Sequence, residues 1–594
     1  MGREGERWKV EPFPAATIEG ACHSRAVRRW PCRSLPPGRR VRAILGAPDR
    51  GPRTGGPREA LPVDETRDRL LRRGDYVHGS FLKPEVVDGF INGVNPGDRT
   101  DVLGRFPFSE SSVDDAVDFA QLGGKLWRRV PLGDRAAAVK RFRDQLARYQ
   151  EQTARLISRE VGKPIWEARQ EVLATIRAVD LFLELGVERL APRIIEEIGA
   201  RSDRIARGVV AVLAPYNFPL LVPGVHVVAS ILAGNAVVLK PSKFTPGVGQ
   251  AHAELWDRCR LPRGVFNMVQ GPGSVIGHRL VANPGIDALL FSGNYATGAA
   301  IRQLLADRPE LAVLLQTGGG GISLVLDDAE VDRAVYETMV GAFLTAGQRH
   351  NSTARVLVTE GIYQRFVDSL VRHAVRLEVG YAFEPDVFMG PLISENLRTR
   401  YRRYSRQLVS KGHQPLCEAA HDNPGRRGFY ARPAIYRVHW DNGDPMLDDE
   451  PPGPLLLVYK VANWEQAAAL HNQAAFRLAT SVFTSLDNPI LGELRDRLRT
   501  GALNLNRSTI GASLRLPSVG VGRSSNGIAG GLEVLDLVTH PRSQLVEARP
   551  FASIQRLPGV HWEPDPTETT VELDEETEDD DLVDVSNALE LAAD

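Results

Sequence analysis

Cysteine is scarce in this 594-residue chain. The four present, Cys22, Cys32, Cys259 and Cys417, form no CxxC pair and no dense framework. That pattern excludes a disulfide scaffold and a cysteine-based zinc centre as organising principles, so no metal is expected and a reducing cytoplasm fits best. No apolar run approaches the roughly 20 residues a membrane-spanning helix requires. The start also lacks the apolar core of about 7 to 15 residues found in a signal peptide, and no membrane partner is expected. No segment recurs at a fixed period, which excludes a solenoid or propeller. The absence of a Gly/Ser linker implies units packed closely enough to form a cleft at their junction.

With 43% hydrophobic and 25% charged residues, the chain has the composition of an ordinary globular protein. Its length calls for two or more packed units. A net charge of -1 conceals a polarised molecule. Met1 to about Glu65 is rich in Arg, Pro and Gly, whereas the stretch from about Glu563 to Asp594 is acidic and contains Glu575-Glu576-Thr577-Glu578-Asp579-Asp580-Asp581. Both read as disordered extensions. No aromatic interleaving or motif accompanies the basic start, so nucleic acid is not an expected partner.

Folded sequence is expected from about Leu82. Asp134 to Gln170 has a helical apolar period (Val139, Phe142, Leu146, Tyr149, Ala154, Leu156) that Gly162-Lys163-Pro164 should interrupt. Beyond Arg207, strands are expected at Val209 to Leu213, Ala236 to Leu239, Val265 to Val269 and Ala288 to Phe291, with helical spacing between several of them. That rhythm argues for a parallel sheet covered by helices. A second series follows: strand Ile322 to Leu326, helix Val331 to Thr345, strand Arg355 to Val358, helix Tyr363 to Val375, then strands Leu455 to Tyr459 and Thr480 to Phe483.

The glycine run Gly271-Pro272-Gly273-Ser274-Val275-Ile276-Gly277 follows a strand but is one residue too long for a dinucleotide fingerprint. More specific is an ordered set of expected strand ends: Ala214-Pro215-Tyr216-Asn217-Phe218-Pro219, Gly234-Asn235 through Lys240-Pro241-Ser242, and Phe291-Ser292-Gly293-Asn294 through Gly298. An amide, an ammonium and a glycine-opened helix start could serve an oxyanion, ribose hydroxyls and a pyrophosphate.

Together with Glu160-Val161-Gly162-Lys163-Pro164, Trp166, Met389-Gly390-Pro391-Leu392 and Glu450 followed by Gly453-Pro454, these motifs resemble the aldehyde dehydrogenase superfamily from about Leu82 to Leu545. Tyr216 to Pro219, Ala233-Gly234-Asn235, Arg308-Pro309-Glu310 and Phe343 to Arg349 look most like its succinylglutamate semialdehyde dehydrogenases. The resemblance implies an α/β fold with a Rossmann-type cofactor domain at 82–315, an α/β catalytic-type domain at 316–530 and a small oligomerisation extension. The extension would join a segment near 191–207 to a strand within 531–550, flanked by the basic segment 1–81 and an acidic tail at 551–594. It also implies a homodimer or homotetramer.

In such enzymes a cysteine attacks the aldehyde, an asparagine amide and a backbone N–H hold the oxyanion, and a glutamate activates water. Here Asn217 matches the oxyanion residue, but His350 falls on the nucleophile and Gln316 on the general base. No cysteine lies between Cys259 and Cys417 to replace the lost thiol. A hydroxyl such as Ser352 or Thr353 would need an adjacent base. For NAD or NADP the resemblance implies Pro215, Tyr216, Lys240, Ser242, Gly293, Asn294, Gly298 and Glu450. Lys243 stands where the family often has a glutamate, which favours a 2′-phosphate and hence NADP. Pro452 replaces a phenylalanine, and Pro517-Ser518-Val519-Gly520 replaces a Pro-Phe-Gly-Gly run. Two functions are therefore expected. One is an impaired or inactive oxidoreductase of aldehydes or semialdehydes, with Arg349 and Arg523 as candidates for a distal carboxylate. The other is a non-catalytic nucleotide-binding or oligomeric interaction protein.

Overall fold

The structure is a computed structural model, and it describes residues 74–82, 86–419, 426–439, 448–548 and 557–563. The basic start up to residue 73 lies outside them, as does the acidic tail beyond residue 563. The described residues all belong to one compact unit. No helix among the described residues is long and apolar enough to cross a membrane.

Two seven-stranded sheets organise this unit. In the first, the order is Ala312–Gln316, Ala288–Ser292, Val209–Leu213, Ala236–Lys240, Phe266–Met268, Asp75–Val77 and Ser80–Leu82. The first five strands pair in parallel and the last two antiparallel. Folded sequence thus begins several residues before the expected Leu82. Two three-residue strands carry no readable period, and what fixes them is tertiary: the carboxylate of Asp75 accepts the Gln270 N–H at 2.7 Å, and the Tyr76 hydroxyl donates to Asp257 at 3.0 Å.

The second sheet runs Gln414–Cys417, Ala434–Arg437, Leu455–Val461, Thr353–Thr359, Gly321–Val325, Ala479–Phe483 and Ala502–Leu505, parallel except for its first strand. Cys417 belongs to that antiparallel edge strand. The central strands read as unbroken apolar runs because both faces are covered; Val209–Leu213, Ala236–Lys240 and Gly321–Val325 are buried at every position.

The period across 134–170 becomes two helices, Leu132–Arg148 and Gln150–Val161. Gly162, at φ +84°, ends the second, and Pro164 caps the helix Ile165–Leu181. A third, three-stranded sheet pairs Thr539–Leu545 with Ala200–Ala206, which pairs with Arg193–Ile195, all antiparallel. Its outer surface leaves Ile194, Ile198 and Leu545 more than half exposed.

In the first sheet, Val209–Leu213 lies between Ala288–Ser292 and Ala236–Lys240. Chain connections diverge from that point, and ligands of open parallel sheets bind outside the carboxyl ends of strands at such a crossover.

Candidate active site

Above those strand ends is a cavity of about 1260 Å³. The first sheet supplies one wall through residues that follow its strands: Ala214 to Asn217, Lys240 to Phe244, Ser292 to Asn294, and Gln316. The opposite wall comes from residues that precede strands of the second sheet, Gly347 to His350 and Glu450 to Gly453. Carboxyl ends of one sheet therefore face amino ends of the other.

Of the expected site residues, Pro215, Tyr216, Asn217, Lys240, Ser242, Lys243, Gly293, Asn294, Gln316, His350 and Glu450 all line this cavity, as does Pro452. Gly298 does not. It lies one turn into the helix Tyr295–Leu304, where a Cβ would overlap the methyl of Thr317, so its visible role is close packing of helix on strand end. Arg523 is also outside the lining: it is exposed and stacks over the Tyr295 ring at 5.3 Å.

The turn that delivers His350 is strained. Thr345, Ala346 and Gly347 follow one another at φ +56°, +54° and +67°. Left-handed backbone costs a non-glycine residue energy and persists only where its surroundings enforce it. At Gly347 even a methyl group is forbidden, because it would overlap the Gly453 carbonyl. A buried ionic cluster enforces the rest. Thr345 donates its hydroxyl to Glu167, and Arg349 bonds both the Thr345 hydroxyl (2.9 Å) and Glu167 (2.8 Å). One helical turn away, Lys163 pairs with Glu171 at 2.6 Å, their side chains 1% and 0% exposed. The Phe218 ring lies between the two cations, 3.8 Å from Lys163 and 5.1 Å from Arg349. Burial works to raise the Glu167 pKa, but the Arg349 and Lys163 charges and the two hydrogen bonds hold it below the usual carboxylate value. Arg349 is thus already committed to a carboxylate of its own chain.

The groups at the reactive positions are poor proton acceptors. Burial, helped by the Arg349 charge, pulls the His350 imidazole down to about 4, so it is neutral at pH 7 and weakly basic. Gln316 ends its strand opposite Ser292, whose hydroxyl donates to the Gln316 carbonyl at 2.9 Å. Asn217 uses Nδ2 to hold the Gln348 carbonyl at 2.7 Å, which leaves its second amide hydrogen for a ligand. Neither described cysteine lines the cavity. Cys259 is buried, donates to the Leu255 carbonyl and is pushed by burial up to about 12; Cys417 donates to the Pro433 carbonyl. Ser352 and Thr353 are likewise absent from the lining, the first accepting from the Arg349 amide and the second paired with Thr509.

On the first-sheet wall, Lys240 is buried and donates to the Pro241 carbonyl at 2.8 Å; burial, with the neighbouring Lys243 charge, brings it down to about 7. Burial raises Glu450 to about 7 against hydrogen bonds from the Gly319 and Gly320 amides and the charges of Arg355 and Arg400. Asn294 caps Tyr295–Leu304 by accepting from the Thr297 N–H at 2.9 Å, so its side-chain oxygen has a structural partner.

Sequence reasoning missed two contributors. Pro272, Gly273, Ser274 and Gly277 of the discounted glycine run line the cavity, and a Cβ at Gly273 would meet nothing within 4 Å. Asn396, Leu397 and Arg400 enter from the helix Glu395–Ser410, whose sequence carries a core period but no ligand motif.

The aldehyde dehydrogenase family pattern matches residues 85–543, and the chain belongs to that family. Among curated proteins it is 34% identical over 493 residues to N-succinylglutamate 5-semialdehyde dehydrogenase of Burkholderia thailandensis, covering 81% of this chain and 99% of the relative. Among solved structures it superposes on lactaldehyde dehydrogenase from Escherichia coli with a TM-score of 0.74 at 27% identity, covering 80% and 99% of the two chains. A mutant aldehyde dehydrogenase C from Pseudomonas syringae, complexed with NAD+ and octanal, gives 0.75 at 25% identity over 81% and 97%. The α/β, Rossmann-like fold expected from sequence is therefore the fold of this family.

Proposed function

We propose that this protein retains the family's nucleotide cleft but does not oxidise aldehydes to acids by thioester chemistry. The observation carrying this reading is the composition of the reactive end: a neutral imidazole at His350 and an amide at Gln316 line the same cavity, with no described thiol in it. A thiolate attacks and then leaves, whereas an imidazole near 4 neither supplies that leaving group nor abstracts a proton efficiently at pH 7.

The other wall fits a dinucleotide. Lys240 has used one of its three N–H donors and Glu450 presents carboxylate oxygens, a pair suited to ribose hydroxyls. The N-terminus of Tyr295–Leu304 and the open space at Gly273 suit a pyrophosphate. Lys243 would pair with a 2′-phosphate, which favours NADP over NAD. Bound NAD(P) would supply a hydride acceptor; the chain's own residues position the aldehyde through Asn217 and exclude water around His350. Candidate ligands at the reactive end are aldehydes or semialdehydes, and because Arg349 is paired with Glu167, a distal carboxylate would have to compete for it. The exposed apolar edge at Ile194, Ile198 and Leu545 supports a homodimer or homotetramer joined through the three-stranded sheet.

The test is an NADPH fluorescence titration beside a turnover screen on aliphatic and carboxylated aldehydes. Binding without acid formation is the expected result. Acid formation at an ordinary dehydrogenase rate would overturn the reading.

A further inference from the structure

Arg355 is a cation where the fold calls for an apolar residue. It is the third residue of Thr353–Thr359, a strand buried at every position and paired on both sides, to Ile322 and to Leu457. Only 2% of Arg355 is exposed. A guanidinium in such a place is strongly disfavoured unless hydrogen bonds and an opposite charge meet it. Its Nη2 donates to the Asp449 carbonyl at 2.8 Å, and Nη1 borders Gly320, 3.3 Å from where a Cβ there would stand. Nε is buried with no hydrogen-bond partner among the described residues. Arg355 does not line the cavity, whereas Glu450, the residue after its acceptor, does.

Glu450 is held by the same pieces of chain. Its carboxylate accepts from the Gly319 and Gly320 amides, and its Oε2 lies 3.1 Å from where a Cβ at Gly318 would stand. Burial opposes its charge, while two cations favour it, Arg355 from the adjacent strand and Arg400 from the helix Glu395–Ser410. The Tyr216 phenol also feels Glu450 but is pushed up by burial and stays neutral. Lys240 and His350 line the same cavity without entering the set of charges that act on Glu450. The two arginines are not equivalent. Arg400 is exposed, so water screens it and an anionic ligand can draw it away; Arg355 is fixed within the sheet, out of reach of both.

We propose that Arg355 is a positioning residue of the cleft: from behind the second-sheet wall it holds the Asp449–Glu450 peptide and supplies the permanent counter-charge of the Glu450 carboxylate. This deepens the nucleotide-cleft reading, and it rests on that reading only for its effect on a ligand.

Two variants of the full-length protein separate charge from hydrogen bonding. Arg355→Gln keeps an N–H for the Asp449 carbonyl and loses the charge; Arg355→Lys keeps the charge. The ionisation of Glu450 is followed without ligand, as the protonated-carboxyl infrared band that is missing from Glu450→Gln. Arg355→Gln should move its titration up by about one pH unit, a tenfold change in proton affinity, while Arg355→Lys stays near wild type. An unchanged titration in Arg355→Gln overturns the proposal. So does an equal or larger shift in Arg400→Met, which would make the exposed arginine the counter-charge, or an equal shift in Arg355→Lys, which would reduce Arg355 to a packing role. In NADPH titrations of Arg355→Gln, the part of the pH dependence that Glu450 contributes moves up by the same amount. Failure of the wild-type protein to bind NADPH would overturn the nucleotide reading and leave the infrared result to decide on Arg355.

Discussion

The two walls of the cleft come from similar sheets yet present different chemistry. On the first-sheet wall, Lys240 and Lys243 stand at and just beyond a strand end, and Glu450 lines the cavity from the second-sheet wall. At the reactive end, the Thr345-Ala346-Gly347 turn, the Asn217 amide on the Gln348 carbonyl and the Glu167–Arg349 pair surround a histidine. Many side chains hold this backbone in place, whereas the chemistry it presents rests on two, the His350 imidazole and the Gln316 amide.

The sharpest way to test that contrast is to restore the lost groups. If the shape is intact, His350→Cys with Gln316→Glu raises acid formation by about 100-fold or more over wild type, measured as NADPH production with a semialdehyde substrate. No gain would mean that Pro452 or the 517–520 segment has also altered the site.

Next in size is the ionic cluster. Glu167→Gln leaves Arg349 and the strained turn without their carboxylate and should cost about 3–5 kcal/mol in urea unfolding. Because the Glu167 pKa is held down in the folded state, its contribution is present above the unfolded carboxylate value and lost as pH falls through the lowered one. An unchanged midpoint would show that the turn does not depend on the pair.

The first-sheet wall offers two smaller effects. Lys243→Glu should reverse nucleotide preference, weakening NADPH relative to NADH by about tenfold, or 1.4 kcal/mol, in fluorescence titrations. Below about 7 Lys240 is cationic and Glu450 neutral, and above it both change toward repelling an anion. NADPH affinity should therefore fall several-fold as pH rises through 7, and Lys240→Met should flatten that dependence.

Most of the parallel framework was legible because strands buried on both faces are written as continuous apolar runs; Val209–Leu213 is found with the bounds its sequence suggests. Ala312–Gln316 was not expected as a strand, although Leu311 to Leu315 is an apolar run as long as those that were. Asp75–Val77 depends on contacts with Gln270 and Asp257, nearly two hundred residues away, which no local pattern records. At the site, residues in family motifs gather round one cavity, Gly298 packs on Thr317 outside its lining, and Arg400 comes from a helix whose readable period is that of its buried face. Arg349 was visible as a cation, but its engagement by Glu167, almost a full domain earlier, required the fold.

Gly319 touches both segments of the second-sheet wall. Its Cα sits against the His350 carbonyl so closely that a side chain could not be placed there, while its amide bonds the Glu450 carboxylate. A side chain at this position would therefore have to push aside the peptide that carries His350 and disturb the bond that holds Glu450, so one substitution would unseat two lining residues at once.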